Sequence, residues 1–414
     1  MTTSMRLTAD RSAALAALQL FTPNAGRRYA KSRNFDYGPE DRSNVSVLSP
    51  YVRHRLLLEE ELLRSVLEHH TYSDAQKFVD EVLWRTYFKG WMEHHPDVWG
   101  SYRRDLGHAV RALNDDAAAC DRYNEAISGR SGIDCFDAWV GELTELGYLH
   151  NHARMWFASI WIYTLNLPWQ LGADFFLRHL LDGDPASNTL GWRWVCGLHT
   201  RGKTYLARVS NIANYTNYRF NPRGQLATSA PPLSEENMIR STAPRATCVE
   251  PEARFGLLMT EEDCSPEQGL LTGAPSAVLG LAASNDRSLL PVSPLAFDFS
   301  AAALADGLRR ASDYWGVDAE QAPEADWIDY LIDWCKRNEL NKLVTAWAPV
   351  GPAATRIERV SERLAAEGIG LHRIRRDYDE FAWPHAAKGY FKLKRQAPQL
   401  LARLGVETEF KQTG

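Results

Sequence analysis

The pattern of apolar and polar positions divides the chain into a helical first part and a mixed second part. Residues 7–24 place Leu7, Ala14, Leu15, Leu18 and Leu20 near helical spacing, as an amphipathic helix would. An irregular stretch with Tyr29, Arg33, Asn34 and Tyr37 follows. Serines ahead of Pro50, in the segment Ser43–Tyr51, then read as a helix start. Helices are expected over 56–70, 74–94 and 132–148, with a more polar set of helices and loops over 100–130. From Met155 to Leu167 the chain is apolar on nearly every helical face, which predicts one deeply buried helix. Pro168 breaks it, and a second apolar helix ends at Leu181.

Residues 223–253 are rich in Ser, Thr, Ala and Pro and read as a linker or wrapping arm. Beyond them the period changes. Strand patterns at 254–260, 277–283, 342–348 and 371–375 alternate with helical ones at 300–314 and 325–340, a helix through Ile357, Val360 and Leu364 that stops at Gly368, and a last helix within 385–404. Such alternation predicts a parallel α/β sheet. The expected division is a helical domain over 1–222, the linker over 223–253, and an α/β domain over 254–414.

Composition narrows the functions open to this fold. A net charge of −5 gives no global field for nucleic acid, so a DNA site must be a local patch. Arg201, Lys203, Arg208, Arg219 and Arg223 make the densest basic run near the centre. The six cysteines (Cys120, Cys135, Cys196, Cys248, Cys264 and Cys335) contain no C-x-x-C, which argues against a zinc site or a disulfide framework. That usage fits a reducing cytoplasm. No secretory pattern opens the chain, and the apolar run from Trp156 to Leu167 is too short to span a membrane. Fourteen tryptophans suit a flat ring ligand, an electron-transfer chain or a large helical core alike.

Three stretches carry candidate chemistry. Asp182 and Asp184 border the buried apolar segments, where a carboxylate needs a partner. Arg154 is the nearest candidate, and a polar cofactor lodged between helices is another. The Ser46–Pro50 helix start offers either simple capping or an anion site. Glu81, Trp84 and Arg85 share a helical face, which fits either a nucleobase contact or a Glu81–Arg85 ion pair beside a core tryptophan.

The spacing of these pieces resembles one family. His150-Asn151-x-x-Arg154-Met155, then Asp182-Gly183-Asp184, then Asn188-x-x-Gly191-Trp192-x-Trp194 resemble, without insertion, the flavin-binding heart of the DNA photolyase/cryptochrome family. Ser46-x-Leu48-Ser49-Pro50-Tyr51 is similar to the segment that wraps the FAD pyrophosphate, and Tyr29 with Arg33 to a flavin-contacting pair. The resemblance implies a helical FAD domain in which Arg154 pairs with Asp182, Asp184 faces the polar edge of the flavin, and Asn188 lies beside its N5. It implies lesion contacts from Glu81, Trp84, Asn151, Met155 and Trp194, and electron transfer through Trp192 and Trp169. Asparagine rather than histidine at position 151 implies cyclobutane pyrimidine dimers rather than 6–4 photoproducts.

Departures from the family pattern set further expectations. Val45 stands in place of a threonine. Arg55 stands in place of a glycine, so the helix there is expected to end differently or run on. The outer tryptophan of the electron chain is missing around residues 110–125, leaving Tyr123, Trp156 or Trp161 to substitute. The iron–sulfur branch has two cysteines where Thr216–Pro222 has none, so no iron–sulfur cluster is expected. The catalytic domain comes first, as in a small bacterial subgroup, with the α/β domain covering the flavin. No antenna pigment is expected, and the Pro349–Pro352 turn reads as a plain turn before a phosphate site. The implied protein is a cytoplasmic, monomeric photolyase acting on UV-damaged DNA, with single strands favoured and no membrane partner. A cryptochrome-like photoreceptor is the alternative, and a helical scaffold without flavin is the third reading.

Overall fold

The structure, a computed structural model, describes residues 7–235 and 254–406. Twelve helices make the first part: α1 (Arg11–Phe21), α2 (Arg27–Ser32), α3 (Ser49–Arg53), α4 (Glu59–His69), α5 (Tyr72–His94), α6 (Asp97–Asp115), α7 (Ala117–Ile127), α8 (Asp134–Leu146), α9 (Asn151–Ser159), α10 (Trp169–His179), α11 (Pro185–Val195) and α12 (Val209–Tyr215). Their starts follow capping chemistry. Asp10, Thr71, Asp116 and Asp184 each accept a backbone N–H at the beginning of α1, α5, α7 and α11.

The apolar run from Met155 is not one α-helix. α9 passes at Ile160 into a π-helical turn that ends at Thr164, and Asn166 at φ 53° turns the chain toward Pro168. There the Trp161 indole N–H donates to the Pro168 carbonyl at 2.9 Å. Around this turn Trp139, Trp156, Phe157, Trp161 and Trp192 form an aromatic core.

The second part is a five-stranded, all-parallel sheet in the order β3-β2-β1-β4-β5. Its strands are β1 (Gly256–Thr260), β2 (Val278–Leu281), β3 (Ala319–Gln321), β4 (Lys342–Ala346) and β5 (Gly370–Ile374), with Leu257 opposite Val278 on one side and Val344 on the other. The helices α13 (Pro294–Trp315), α14 (Trp327–Arg337) and α15 (Pro352–Ala366) connect them. β3 is a strand the pattern did not announce. It has three residues, Ala-Glu-Gln, none fully buried, so no hydrophobic period marks it.

The helix expected within 385–404 is two helices, α17 (Tyr390–Lys394) and α18 (Ala397–Arg403), preceded by α16 (Asp377–Ala382). This tail leaves the sheet and returns to α5. Tyr378 and Thr86 share a 2.8 Å hydroxyl contact, and Tyr87 donates to the Lys388 carbonyl at 2.8 Å. Gly90 allows the approach, since a Cβ there would lie 2.8 Å from Ala386 Cβ and 2.9 Å from Trp383 Cδ1.

Strand order reverses between β1 and β4, the place where open α/β sheets usually hold a ligand at their carboxyl ends. Here the chain itself fills it. Arg53 binds Glu262 through two bonds of 2.6 and 2.7 Å, and His54 Nδ1 lies 2.8 Å from the Glu261 carbonyl. Glu93 accepts from the Trp347 indole at 3.1 Å and from the Val350 N–H at 2.8 Å. The Pro349–Pro352 turn thus holds a carboxylate of α5. The first part of the arm also packs back: Leu233 N–H donates to Cys196 O at 3.1 Å, and Glu235 pairs with Arg193. The expected arm over 236–253, with Cys248, lies outside the described residues.

Candidate functional site

The turn before α3 builds one wall of the site. Val47 takes a left-handed φ of 51°, and buried Leu48 anchors the segment while Ser46 and Ser49 stay half-buried. α3 then stops at Arg53, and Arg55 itself holds φ 50°. The expectation that the helix would end differently or run on is therefore corrected. The glycine-like conformation is kept by an arginine, at a steric cost of about 1–2 kcal/mol. Its guanidinium is locked by Asp379, by Glu59 at 3.5 Å and by Asp263 at 3.3 Å, all buried.

Beside this wall lies a cavity of about 90 Å³, lined among others by Tyr29, Arg33, Ser46, Ser49, Glu81 and Asn151. Residues from four separate segments, all anticipated as site residues, meet here. Glu81 pairs with Arg33 and not with Arg85, so the intrahelical pair is not formed. Desolvation raises the Glu81 carboxyl above the ordinary range, and Arg33 offsets part of that rise. Arg85 turns the other way, 3.2 Å from Val52 O, 3.4 Å from Glu59 and 3.7 Å from Asp184.

Arg154 donates to Asp182 Oδ2 at 2.8 Å, as anticipated, and Asp182 Oδ1 is buried without a hydrogen-bond partner. Burial would raise the Asp184 carboxyl, yet Arg85, Lys89 and Arg53 hold it well below the usual carboxylate range. Asp184 also caps α11 through the Ser187 N–H at 2.7 Å. Asn188 donates its amide to Ala173 O at 2.8 Å. Arg154, Asp182, Asp184, Asn188 and Leu48 sit outside the lining of the 90 Å³ cavity, as do Trp84, Met155 and Trp194.

Trp84 has one face covered: Tyr390 of α17 stacks on it at 3.8 Å and 5°. Trp194 lies parallel to Tyr205 at 5.5 Å, and Met155 is half-buried on α9. Trp192 is buried over Gly172, edge-on to Trp161 at 6.3 Å, and Trp161 is 6.1 Å from Tyr123. Trp169 opens a second row, 5.7 Å from Tyr102, which is 5.3 Å from Trp99. Sequence reasoning missed Tyr102 and Trp99, because only the fold brings α6 against α10. Trp156 stacks instead on Trp139 at 5.6 Å.

The groups present suit a flavin dinucleotide. Hydroxyls of Ser46 and Ser49 and the Arg33 guanidinium offer donors to an anionic end, and the cavity has room for that end alone. Asp182 Oδ1, Ser187 Oγ, Thr189 Oγ1 and Trp192 Nε1, in and just before α11, are buried polar atoms lacking partners. Among the described residues, no group of three or more His, Cys, Asp or Glu is placed to hold a metal ion.

Comparison with known proteins agrees with this chemistry. Residues 78–229 match the FAD binding domain of DNA photolyase. The helical part of this chain is thus similar to the flavin-binding part of DNA photolyases. The deoxyribodipyrimidine photo-lyase of Alkalihalophilus pseudofirmus is 30% identical over 218 residues, covering 51% of this chain and 42% of that protein. An enzyme of the same name from Thermus thermophilus is 35% identical over 201 residues, covering 48% and 45%. A bacterial class III photolyase from Agrobacterium tumefaciens aligns in structure with a TM-score of 0.42 at 23% identity, covering 50% of this chain and 43% of that one. The matched stretch thus covers about half of this chain and less than half the length of each of these relatives. No helix among the described residues is long and apolar enough to cross a membrane.

Proposed function

We propose that this protein is a cytoplasmic, monomeric photolyase that splits cyclobutane pyrimidine dimers in DNA, preferably single-stranded, under blue or near-UV light. The observation that carries the reading is the cavity where Glu81, paired to Arg33, faces Ser46, Ser49 and Asn151. It sets a lesion-contacting acid against a phosphate-binding wall. Reduced FAD, when bound, supplies the light-driven one-electron chemistry.

The chain's own groups do the rest. Ser46, Ser49 and Arg33 hold the pyrophosphate. Arg154 would screen the charge of Asp182 next to the flavin, and Asp184 would face the flavin's polar edge. Asn188, whose amide donates to Ala173 O, would stand beside the flavin N5. Glu81, held by Arg33, would contact the damaged pyrimidines through its carboxyl group. Asn151 lines the cavity, and Met155 and Trp194, outside its lining, are proposed to contact the dimer. Trp192 and Trp169 begin the routes by which electrons reach the flavin, through Trp161 to Tyr123 or through Tyr102 to Trp99.

The proposal includes neither an iron–sulfur cluster nor an antenna pigment. Its support is the lack of cysteine in Thr216–Pro222 and the filled crevice of the sheet. The division at 1–222, 223–253 and 254–414 is retained, with the tail from α16 onward placed functionally beside α5. A cryptochrome-like photoreceptor has one observation in its favour, the cover of Tyr390 over Trp84.

Glu81→Ala tests the proposal. Dimer repair in light is expected to fall at least about tenfold, the scale of one charge-assisted hydrogen bond, with FAD content unchanged by absorbance. Repair at the wild-type rate would contradict the assigned role.

A further inference from the structure

We propose that the segment 388–395 is a binding track for a single DNA strand, leading up to Trp84. Its sequence, Lys-Gly-Tyr-Phe-Lys-Leu-Lys-Arg, concentrates four cations in eight residues of a chain whose net charge is −5. Two of its residues fasten it to α5. Lys394 Nζ lies 2.8 Å from the Asp80 carboxylate, and Tyr390 donates to Asp80 Oδ1 at 3.1 Å while stacking on Trp84.

The other three cations have no such use. Lys388, Lys392 and Arg395 are exposed and ring a cleft of about 330 Å³ together with His385 and Gln396, and no carboxylate lines it. None of the three is ion-paired with a described residue. A concave site bearing positive charge without a matching acid favours a polyanion.

The second observation is aromatic. α17 buries Tyr390 and Leu393 but leaves Phe391 71% exposed. The Phe391 ring stands edge-on to Tyr390 at 5.7 Å, and Tyr390 stacks on Trp84. Three rings thus run from solvent to Trp84, beside the cationic cleft. Cations that track a backbone, interleaved with a ring that takes a base, are the elements of single-strand recognition. In a duplex the bases already stack on one another, so an exposed phenyl ring has no base face to meet. Phosphates of the strand would sit against Lys388, Lys392 and Arg395, and a base against Phe391. The inference rests on the reading of Trp84 as a lesion neighbour, since it is that position which makes the track lead to the site.

The test is fluorescence anisotropy of the full-length, flavin-loaded protein with a labelled, undamaged oligothymidine in the dark. The variant K388A/K392A/R395A is expected to bind at least about tenfold more weakly at low salt. Its plot of log affinity against log salt should flatten by about 2, from three phosphates at roughly 0.7 each. Phe391→Ala should weaken binding about tenfold with little change of salt slope. FAD content and melting temperature should match wild type in both. A control variant, R309A/K336A/R363A, removes three exposed cations elsewhere and should bind normally. Equal binding by the first variant and wild type, an equal loss in the control, or tighter binding of the corresponding duplex would overturn the track. Dimer repair by wild type is scored separately. Without repair the photolyase reading falls while a binding loss still supports the track, and repair with unaffected variants removes the track alone.

Discussion

Two crevices of this molecule invite comparison. One lies among the helices, where Arg33, Ser46, Ser49, Glu81 and Asn151 surround an opening and nearby polar atoms of Asp182, Thr189 and Trp192 lack partners. The other lies at the carboxyl ends of β1 and β4, where Arg53, His54 and Glu93 are seated against Glu262, Glu261 and Val350. Both have the geometry that folds of their class use for ligands. The first is an open cavity, whereas the second is occupied by the chain itself. The second has been turned into an interface in which Arg53 pairs with Glu262, and Arg55 with Arg376 extends that network to Asp263 and Asp379. The proposed ligand site therefore lies in the helices, where the cavity is open.

The comparison predicts opposite phenotypes. The largest effect is expected from Arg53→Ala, which leaves the buried Glu262 carboxylate without its bidentate partner and Gly183 O without a donor. A loss of about 3–5 kcal/mol is expected in urea unfolding, with or without flavin. A loss below about 1 kcal/mol would mean that the sheet crevice is not a structural joint.

Next in size is the pH dependence of the same joint. Burial alone would raise the Asp263 carboxyl, yet Arg376 and Arg55 hold it down at about 2. A carboxyl depressed on folding stabilises above its unfolded value, and that contribution is lost as pH falls through the folded one. Wild type should therefore lose about 2 kcal/mol of stability from this group between about pH 4 and about pH 2. Urea unfolding of Asp263→Asn across that range should show a lower starting stability and a shallower acid decline.

The smallest stability effect belongs to the helical crevice. Ser46→Ala with Ser49→Ala removes two half-buried hydroxyls and should change unfolding by about 1 kcal/mol or less. Its FAD affinity, titrated by fluorescence quenching, should nevertheless fall about tenfold. Unchanged affinity would remove the phosphate role from this wall.

What could be read beforehand followed from local chemistry. The helical first part and four of the parallel strands appear where period and punctuation put them, and the Arg154–Asp182 pair formed as the motif implied. The misreadings arose where distant segments decide. Glu81 has a neighbour of the right charge one turn away in Arg85, yet Arg33, 48 positions earlier, takes it. Arg55 could be read as breaking a glycine turn, because nothing nearby in sequence shows that Asp379, 324 positions on, secures it. The run 388–395 was legible as a denser basic stretch than Arg201–Arg223, but only its return to α5 gives it a place beside Trp84. Tyr102 and Trp99 carry no pattern of their own and become a path only through Trp169.

The central claim is that the helical crevice holds a flavin used for light-driven repair. Its most direct test is chromatography of a single-stranded oligonucleotide carrying one thymine dimer, incubated with reduced, FAD-loaded protein under blue light and in the dark. The account predicts restored thymines in the light sample alone. An intact dimer in both samples, with flavin bound and photoreducible, would contradict it and favour the photoreceptor reading.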